Sequence, residues 1–250
     1  MLYNIVSTPR SGSTLLMHSI YQYKELTGAA EFYNETIHWK NGKHNPDLVS
    51  HINTIINNAK DRIVVIKNHV NVLDRHYDMM LSGEEPSDLV AATTNLLEIP
   101  QYTILSVRED IIEQAVSTAY SHTVGKWTYG PGDDTSIVAE VSEERINNAV
   151  DILVRYYNLM YQTYIHNANA VISYEELGTT PKQAYANLEF AESNLIELDP
   201  ITVKSPKKEI VITNINDTYD RALTRLQSAD IYFPIVNNKL DMGLWKEKVL

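Results

Sequence analysis

Four short apolar runs, separated by sequence compatible with helices, constrain the fold of this chain more than any other feature. They are rich in branched residues and bounded by polar ones, and they occupy residues 2–8, 62–67, 102–107 and 170–174. Strands that are buried on both faces and alternate with helices are typical of parallel sheets with helices on each side. The alternation therefore predicts an α/β fold with a parallel β-sheet flanked by helices on both faces.

The beginning of the chain has the sharpest local pattern. The first apolar run, residues 2–8, ends abruptly in Pro9, Arg10, Ser11 and Gly12, and an amphipathic run follows directly. This order predicts a strand, a tight loop and a helix. Backbone N–H groups converge in such a loop, and the helix behind it adds the positive end of its dipole. The segment is therefore suited to bind an anion such as phosphate.

The loop differs from the Walker A loop of ATP-using enzymes, which requires the pattern G-x-x-x-x-G-K-[ST]. Only Gly12 is present here, and no lysine follows it. Arg10 instead supplies a permanent charge with a planar fork that fits phosphate or sulfate oxygens. The segment alone leaves a second interpretation open, in which it is an ordinary helix start and Arg10 lies in solvent.

Composition narrows the possible partners and chemistry. The chain of 250 residues has a net charge of −11, which argues against nucleic acid, because such binders need a broad basic surface. There are no cysteines, and the eight histidines have no spacing typical of metal ligands, so we expect no metal site. With no long apolar run and no secretory pattern at the N-terminus, we expect no membrane span and a cytoplasmic location.

The length predicts one domain over residues 1–250. Its most regular helical pattern begins after Ser142, a plausible N-cap, and continues through Ile146, Val150 and Leu153. Residues 195–250 have weak periodicity, and beyond a segment that could cover a nucleotide we assign them no role.

Two segments, in order, resemble the sulfotransferases that use 3′-phosphoadenosine-5′-phosphosulfate (PAPS). STPRSGSTLL at 7–16 is similar to their 5′-phosphosulfate-binding loop, and SVREDIIEQAVSTAYSHTVGKW at 106–127 resembles their 3′-phosphate-binding strand and helix. The second pattern most resembles the bacterial trehalose and carbohydrate sulfotransferases. AEFYN at 30–34 and VISYEEL at 171–177 match less strongly. The Gly-x-x-Gly-x-x-Lys element of cytosolic sulfotransferases is missing, and SPKKEIVITN at 205–214 stands about where the bacterial group has a basic segment.

This resemblance implies a P-loop NTPase-like fold and transfer of a sulfuryl group from PAPS to an acceptor hydroxyl, on a carbohydrate or a glycolipid, without a metal. The product nucleotide would be 3′,5′-adenosine bisphosphate (PAP). The 5′-phosphate and the sulfuryl group would be held by the loop residues Arg10, Ser11, Gly12, Ser13 and Thr14. Arg10 would also stabilise charge during transfer. Neither the oligomeric state nor the identity of the acceptor is predicted.

The remaining donor contacts are implied by the second segment. The 3′-phosphate would bind Arg108, at the end of the third run, and Ser117, on the following helix. Considered singly, these would be a surface arginine and a small solvent-facing residue. Trp127 and Tyr174 are candidates to pack against the adenine, although core packing is the alternative for each.

Two residues compete for the role of catalytic base. Glu31 matches the glutamate that serves as base in the bacterial carbohydrate group and is preferred. His69 stands where cytosolic sulfotransferases have a Lys-x-His base. Lys67 is a candidate to reach the sulfuryl group, and a solvated lysine at a strand end is the alternative. Two other functions stay open: an ATP-dependent small-molecule kinase, and a non-catalytic relative that binds PAPS or PAP.

Overall fold

The computed structural model describes residues 2–21, 30–33, 39–40, 43–44, 47–61, 64–70, 88, 91–92, 95–96, 98–99, 101–125, 137–179 and 211–249. The elements are, in chain order, β1 (Leu2–Ser7), α1 (Ser13–Tyr21), β2 (Ala30–Tyr33), β3 (Trp39–Lys40), β4 (Lys43–His44), α2 (Leu48–Asp61), β5 (Val64–His69), β6 (Gln101–Val107), α3 (Ile111–Val124), β7 (Val138–Ala139), α4 (Glu143–Leu159), β8 (Ala170–Ser173), α5 (Tyr174–Thr179), β9 (Val211–Ile212), α6 (Ile215–Gln227), β10 (Ile235–Val236), β11 (Lys239–Leu240) and α7 (Met242–Glu247). A π-helical turn, Met160–Tyr164, continues α4.

The central sheet has five strands in the order β2-β5-β1-β6-β8, and every neighbouring pair is parallel. Strand β1 lies in the middle. The chain first builds β2 and β5 on one side of β1 and then crosses to build β6 and β8 on the other. The order reverses between β1 and β6, and open α/β sheets bind ligands outside the carboxyl ends of the strands at such a reversal. The predicted parallel sheet is confirmed.

Both faces of the sheet are buried, which explains why the strands read as continuous apolar runs. On one face, Leu2 and Val64 cluster with Ile52 of α2. Alternate residues along a strand point to opposite faces, and Tyr3 and Ile5 are buried too. Helix α1 packs against β1, β5 and β6. Helices therefore flank the sheet, as the sequence predicts.

A larger core lies over the β6 side of the sheet. Val6, Leu105 and Val107 from the strands pack there with residues of α3, α4, α6 and α7. The long helix predicted after Ser142 is confirmed: α4 begins at Glu143, and Ser142 Oγ accepts a hydrogen bond from the N–H of Arg145. In the part of the chain that the structure describes, no helix has the length and apolar character needed to cross a membrane.

The last elements of the chain, for which the sequence predicts no role, pack beside the segment at 106–127. Trp245 of α7 is fully buried, with ring contacts to Tyr157, Tyr161 and Phe233 at centroid distances of 6.0, 5.2 and 6.4 Å. The β10–β11 hairpin turns at two asparagines with positive φ, a conformation that asparagine tolerates well. The N–H of Leu240 then donates to the carbonyl of Glu109 at 2.9 Å. The C-terminal elements thereby support the chain next to Arg108.

Candidate functional site

The loop after β1 is a tight turn that the surrounding residues hold in place. Arg10 and Gly12 have φ values of 62° and 78°, so the backbone twice enters the left-handed region. The first intrahelical hydrogen bond of α1 runs from the N–H of Leu16 to the carbonyl of Gly12. The N–H groups of Ser13 and Thr14 precede it and have no partner within the helix. Their direction and the helix dipole favour an anion at this point.

Gln114 joins the loop to α3. Its Nε2 donates to Thr8 Oγ1 at 2.8 Å and to the carbonyl of Pro9 at 2.6 Å, while its Oε1 accepts a hydrogen bond from Tyr157 at 2.6 Å. Gln114 is completely buried. A buried amide must satisfy both ends, and here it does so by fixing the loop. Gln114 has no role predicted from the sequence, and a glutamine on an otherwise apolar helix face is the signal that could have identified it.

Arg10 and Ser117, predicted from separate segments, are in contact. The Nε of Arg10 donates to Ser117 Oγ at 3.1 Å. These residues are 107 positions apart in the chain, and the pairing of β1 with β6 brings them together. The structure therefore joins the loop to the helix of the second segment.

Tyr174 links the loop to Arg108. A Cβ atom added to Gly12 would lie 2.5 Å from the Tyr174 ring, so the ring packs directly on the glycine. The guanidinium carbon of Arg108 lies 5.1 Å from the centroid of the same ring, a cation–π distance. Tyr174 is 41% exposed, so it lies at the surface of the site. One ring thus contacts both predicted phosphate-binding segments.

Arg108 follows directly after β6 and is mostly buried, with a side-chain exposure of 17%. Its backbone N–H donates to the hydroxyl of Tyr157 at 3.0 Å, which fixes the chain there. Its Nε is buried and makes no hydrogen bond with any residue in the described part of the chain. The carboxylates of Glu113 and Glu175 lie 3.5 and 3.8 Å from the guanidinium nitrogens. Arg108 therefore keeps hydrogen-bonding capacity for an anion.

Lys67, from the neighbouring strand β5, reaches the loop from the other side. Its Nζ donates to Thr14 Oγ1 at 3.0 Å, and the residue is 6% exposed. Burial lowers the pKa of Lys67 to about 8, because desolvation disfavours the charged amine. The loop therefore has a lysine beside it, as a Walker loop does, but here the lysine comes from strand β5 and not from the loop itself.

His69 lies at the end of β5 and is held as a neutral imidazole. Burial, followed by the positive charge of Lys67, lowers the pKa of His69 to about 4. Its Nδ1 is 3.3 Å from Ser7 Oγ, and the Ser7 hydroxyl donates to the carbonyl of Asn68 at 3.2 Å. In the tautomer that carries its proton on Nδ1, His69 donates to Ser7 Oγ while the Ser7 hydroxyl donates to Asn68. Nε2 then carries the lone pair that a general base needs.

The preferred base, Glu31, is described only through its backbone. Its strand β2 pairs with β5, with Glu31 in register with Ile66, so Glu31 and His69 come from neighbouring strands. The side chain of Glu31 and the whole of Trp127 lie outside the described residues, as does most of the segment at 205–214. The choice between Glu31 and His69 stays a prediction.

Three basic residues lie at the carboxyl ends of adjacent strands. Arg10, Lys67 and Arg108 follow or close the three adjacent strands β1, β5 and β6, in a chain with a net charge of −11. Across the described ranges, no group of three or more histidine, aspartate or glutamate side chains could hold a metal ion. Basic side chains therefore lie both at the loop and just after β6.

Comparison of the sequence with protein-family models finds no match, and comparison with curated proteins finds none either. The assignment of a function therefore depends on the two motifs and on the geometry that brings them together.

Proposed function

We propose that this chain is a sulfotransferase of P-loop NTPase-like fold that moves the sulfuryl group of PAPS to a hydroxyl of a carbohydrate or glycolipid. The hydrogen bond between Arg10 and Ser117 is the observation that carries the proposal, because it joins two segments that resemble one family independently. Their contact lies at the reversal of strand order between β1 and β6. A single nucleotide with phosphates at both ends of its ribose would need this arrangement.

The donor would be held by groups of the chain at two points. The backbone N–H groups of Ser13 and Thr14 and the guanidinium of Arg10 would bind the 5′-phosphate. Arg108 and Ser117 would bind the 3′-phosphate, and the unsatisfied Nε of Arg108 fits such a partner. Tyr174, between the two points, would contact the nucleoside. We propose no metal in this arrangement.

Transfer breaks the bond between sulfur and the bridging oxygen of the donor and forms a bond between sulfur and the acceptor oxygen. Negative charge then develops on the 5′-phosphate, where protonated Lys67 and Arg10 would stabilise it. The acceptor hydroxyl must lose its proton, and Glu31 or the Nε2 of His69 would accept it. Glu31 stays the preferred base, and the neutral state of His69 keeps it as the second candidate.

Nucleotide binding separates this proposal from its alternatives. Calorimetric titration of the full chain with PAP, AMP and ATP with Mg²⁺ should give tight binding of PAP and weak binding of AMP, because only PAP carries the 3′-phosphate. Tight binding of ATP with Mg²⁺ but not of PAP would favour the kinase alternative. Equal affinities for PAP and AMP would remove the case for a 3′-phosphate site.

A transfer assay then tests catalysis. PAPS labelled with ³⁵S and a panel of sugars and glycolipids should give a labelled acceptor, and Glu31→Gln should lower turnover far more than PAP affinity. Retained turnover in Glu31→Gln, with loss in His69→Gln, would assign the base to His69. Tight PAP binding without transfer to any acceptor would support a non-catalytic relative.

A further inference from the structure

Arg108 is an ion-paired residue in this structure, and its partners are two carboxylates on different helices. Glu113 Oε2 of α3 lies 3.5 Å from Arg108 Nη2, and Glu175 Oε1 of α5 lies 3.8 Å from Arg108 Nε. Both distances exceed those of a charge-assisted hydrogen bond, which is about 2.8 Å. The carboxylates therefore attract the guanidinium without forming its hydrogen bonds.

The two carboxylates are fixed in different ways. Glu175 Oε2 accepts a hydrogen bond from the backbone N–H of Glu109 at 2.9 Å, so Glu175 also holds the backbone just after β6. Glu113 is 47% exposed, and its other oxygen, Oε1, accepts a hydrogen bond from the hydroxyl of Tyr219 at 2.5 Å. Burial and the negative charge of Glu113 raise the pKa of Tyr219, which keeps that hydroxyl protonated as a donor. Helix α6 thereby holds Glu113 toward Arg108.

A 3′-phosphate at Arg108 would meet these negative charges at close range. It would have to take the guanidinium from Glu113, whose carboxylate carries the same sign of charge and is held by Tyr219. We propose that Glu113, oriented by Tyr219, competes with the 3′-phosphate for Arg108 and so lowers the affinity of the site for any nucleotide that carries this phosphate. The inference rests on the proposed function, since it assigns a regulator of affinity to the same site.

The competition has a consequence for turnover. Donor and product nucleotide both keep the 3′-phosphate, so both meet the same opposing charge. When the product leaves, Arg108 regains Glu113 as a second carboxylate partner beside Glu175, and the two together offset the cost of its buried charge. Glu113 therefore favours product release at the expense of affinity.

Calorimetric titration of three variants of the full chain tests this role. Glu113→Gln removes the charge and keeps the shape and the acceptor oxygen for Tyr219. We expect it to bind PAP roughly three- to tenfold more tightly than the unmodified chain, with AMP affinity unchanged. Tyr219→Phe frees Glu113 and should give a smaller gain, about twofold. Glu143→Gln is the control, because Glu143 is also in the first turn of a helix and also pairs with an arginine, Arg221 at 3.1 Å.

The outcomes separate this inference from the function on which it rests. Unchanged or weaker PAP binding in Glu113→Gln would overturn the competition, as would an equal gain in Glu143→Gln. The gain should shrink when Arg108→Ala is added, and a full gain without Arg108 would mean that Glu113 does not act through it. If Glu113→Gln fails to fold, an unchanged PAP affinity in Tyr219→Phe overturns the inference. If the unmodified chain binds PAP no more tightly than AMP, it is the proposed function that fails.

Discussion

The two sides of the candidate site, the loop with Arg10 and the strand end with Arg108, are held by different kinds of contact. Arg10 belongs to a loop fixed by neutral hydrogen bonds from Gln114 and contacts a neutral hydroxyl, Ser117 Oγ. Arg108 lies between the carboxylates of Glu113 and Glu175. The neutral hydrogen bonds fix the shape of the loop, whereas the carboxylates partly neutralise the charge of Arg108, which they orient. The shape of the loop is therefore built before a ligand arrives, and at Arg108 a ligand must meet two carboxylates.

Gln114→Leu should disrupt the contacts that hold the loop after β1, and among the substitutions proposed for stability it should have the largest effect. The substitution leaves the acceptors at Thr8 and Pro9 without the donor that Gln114 supplies, while the hydroxyl of Tyr157 keeps its partners on the backbone of Arg108. We expect a loss of about 4 kcal/mol in the free energy of unfolding, measured by chemical denaturation. Gln227→Leu, at an exposed position at the end of α6, is the control and should change stability little. A small loss in Gln114→Leu would show that other contacts hold the loop.

The loop side should also respond to acid through His69. The pKa of His69 is lowered from its ordinary value of 6.5 to about 4 in the folded chain, so below pH 6.5 the unfolded chain binds a proton that the folded chain does not. The resulting stability is present above pH 6.5 and is lost as the pH falls to about 4; it amounts to about 3 kcal/mol.

Denaturation of His69→Gln at pH 7 and at pH 4 measures this contribution. The variant should lose less stability on acidification than the unmodified chain, and His166→Gln, at an exposed position, should behave like the unmodified chain. An equal acid loss with and without His69 would contradict the predicted shift in its pKa.

Arg108→Ala should impair the other side of the site, and the effect should appear in the affinity for PAP. We expect PAP affinity to fall by about 2 kcal/mol, roughly thirtyfold, because a charge-assisted contact to the 3′-phosphate is lost, while AMP affinity stays the same. Arg221→Ala, which removes an arginine from an exposed ion pair with Glu143, is the control. A parallel fall in AMP affinity would mean that Arg108 does not recognise the 3′-phosphate specifically.

Gly12→Ala tests the contact between the two sides of the site, where the Tyr174 ring packs on the loop and on Arg108. Gly12 and Gly125 both have positive φ, but a Cβ at Gly12 would meet the Tyr174 ring at 2.5 Å, whereas a Cβ at Gly125 would meet nothing within 4 Å. We expect Gly125→Ala to cost about 1 kcal/mol of stability and Gly12→Ala about 2 kcal/mol. Adding Tyr174→Ala should remove the excess in Gly12→Ala, and equal costs at both glycines would show that the ring moves aside freely.

Much of the fold could be predicted because it depends on local patterns. Branched apolar runs buried on both faces indicated the parallel sheet, and the loop with Gly12 after β1 was visible in ten residues. Ser142 was recognisable as an N-cap because its side chain satisfies an N–H group only three residues away. The C-terminal hairpin was not predictable, since its place depends on a hydrogen bond between Leu240 and Glu109, far apart in the chain.

The candidate site was predictable in its residues but not in its internal contacts. The resemblance implied roles for Arg10, Arg108 and Ser117, and these roles stay predictions. Tyr174 was expected near a nucleotide. Its packing on Gly12 could not be anticipated, because it requires the residues that follow β1 and β8 to lie close together in the fold. From the sequence, Glu113 is an ordinary acidic residue in the first turn of a helix. Only the tertiary structure shows that Tyr219 donates a hydrogen bond to it.

By itself, the sequence determined which segments become strands, helices and the tight loop, because hydrophobic period, capping and turn chemistry act over a few residues. Only the tertiary structure decided which charged groups face each other. Strand order places the ends of β1, β5 and β6 side by side, and α6 brings Tyr219 to Glu113 across more than a hundred residues of chain. Ion pairing depends on distances of a few ångströms between side chains, and such distances are set by packing and not by position in the chain.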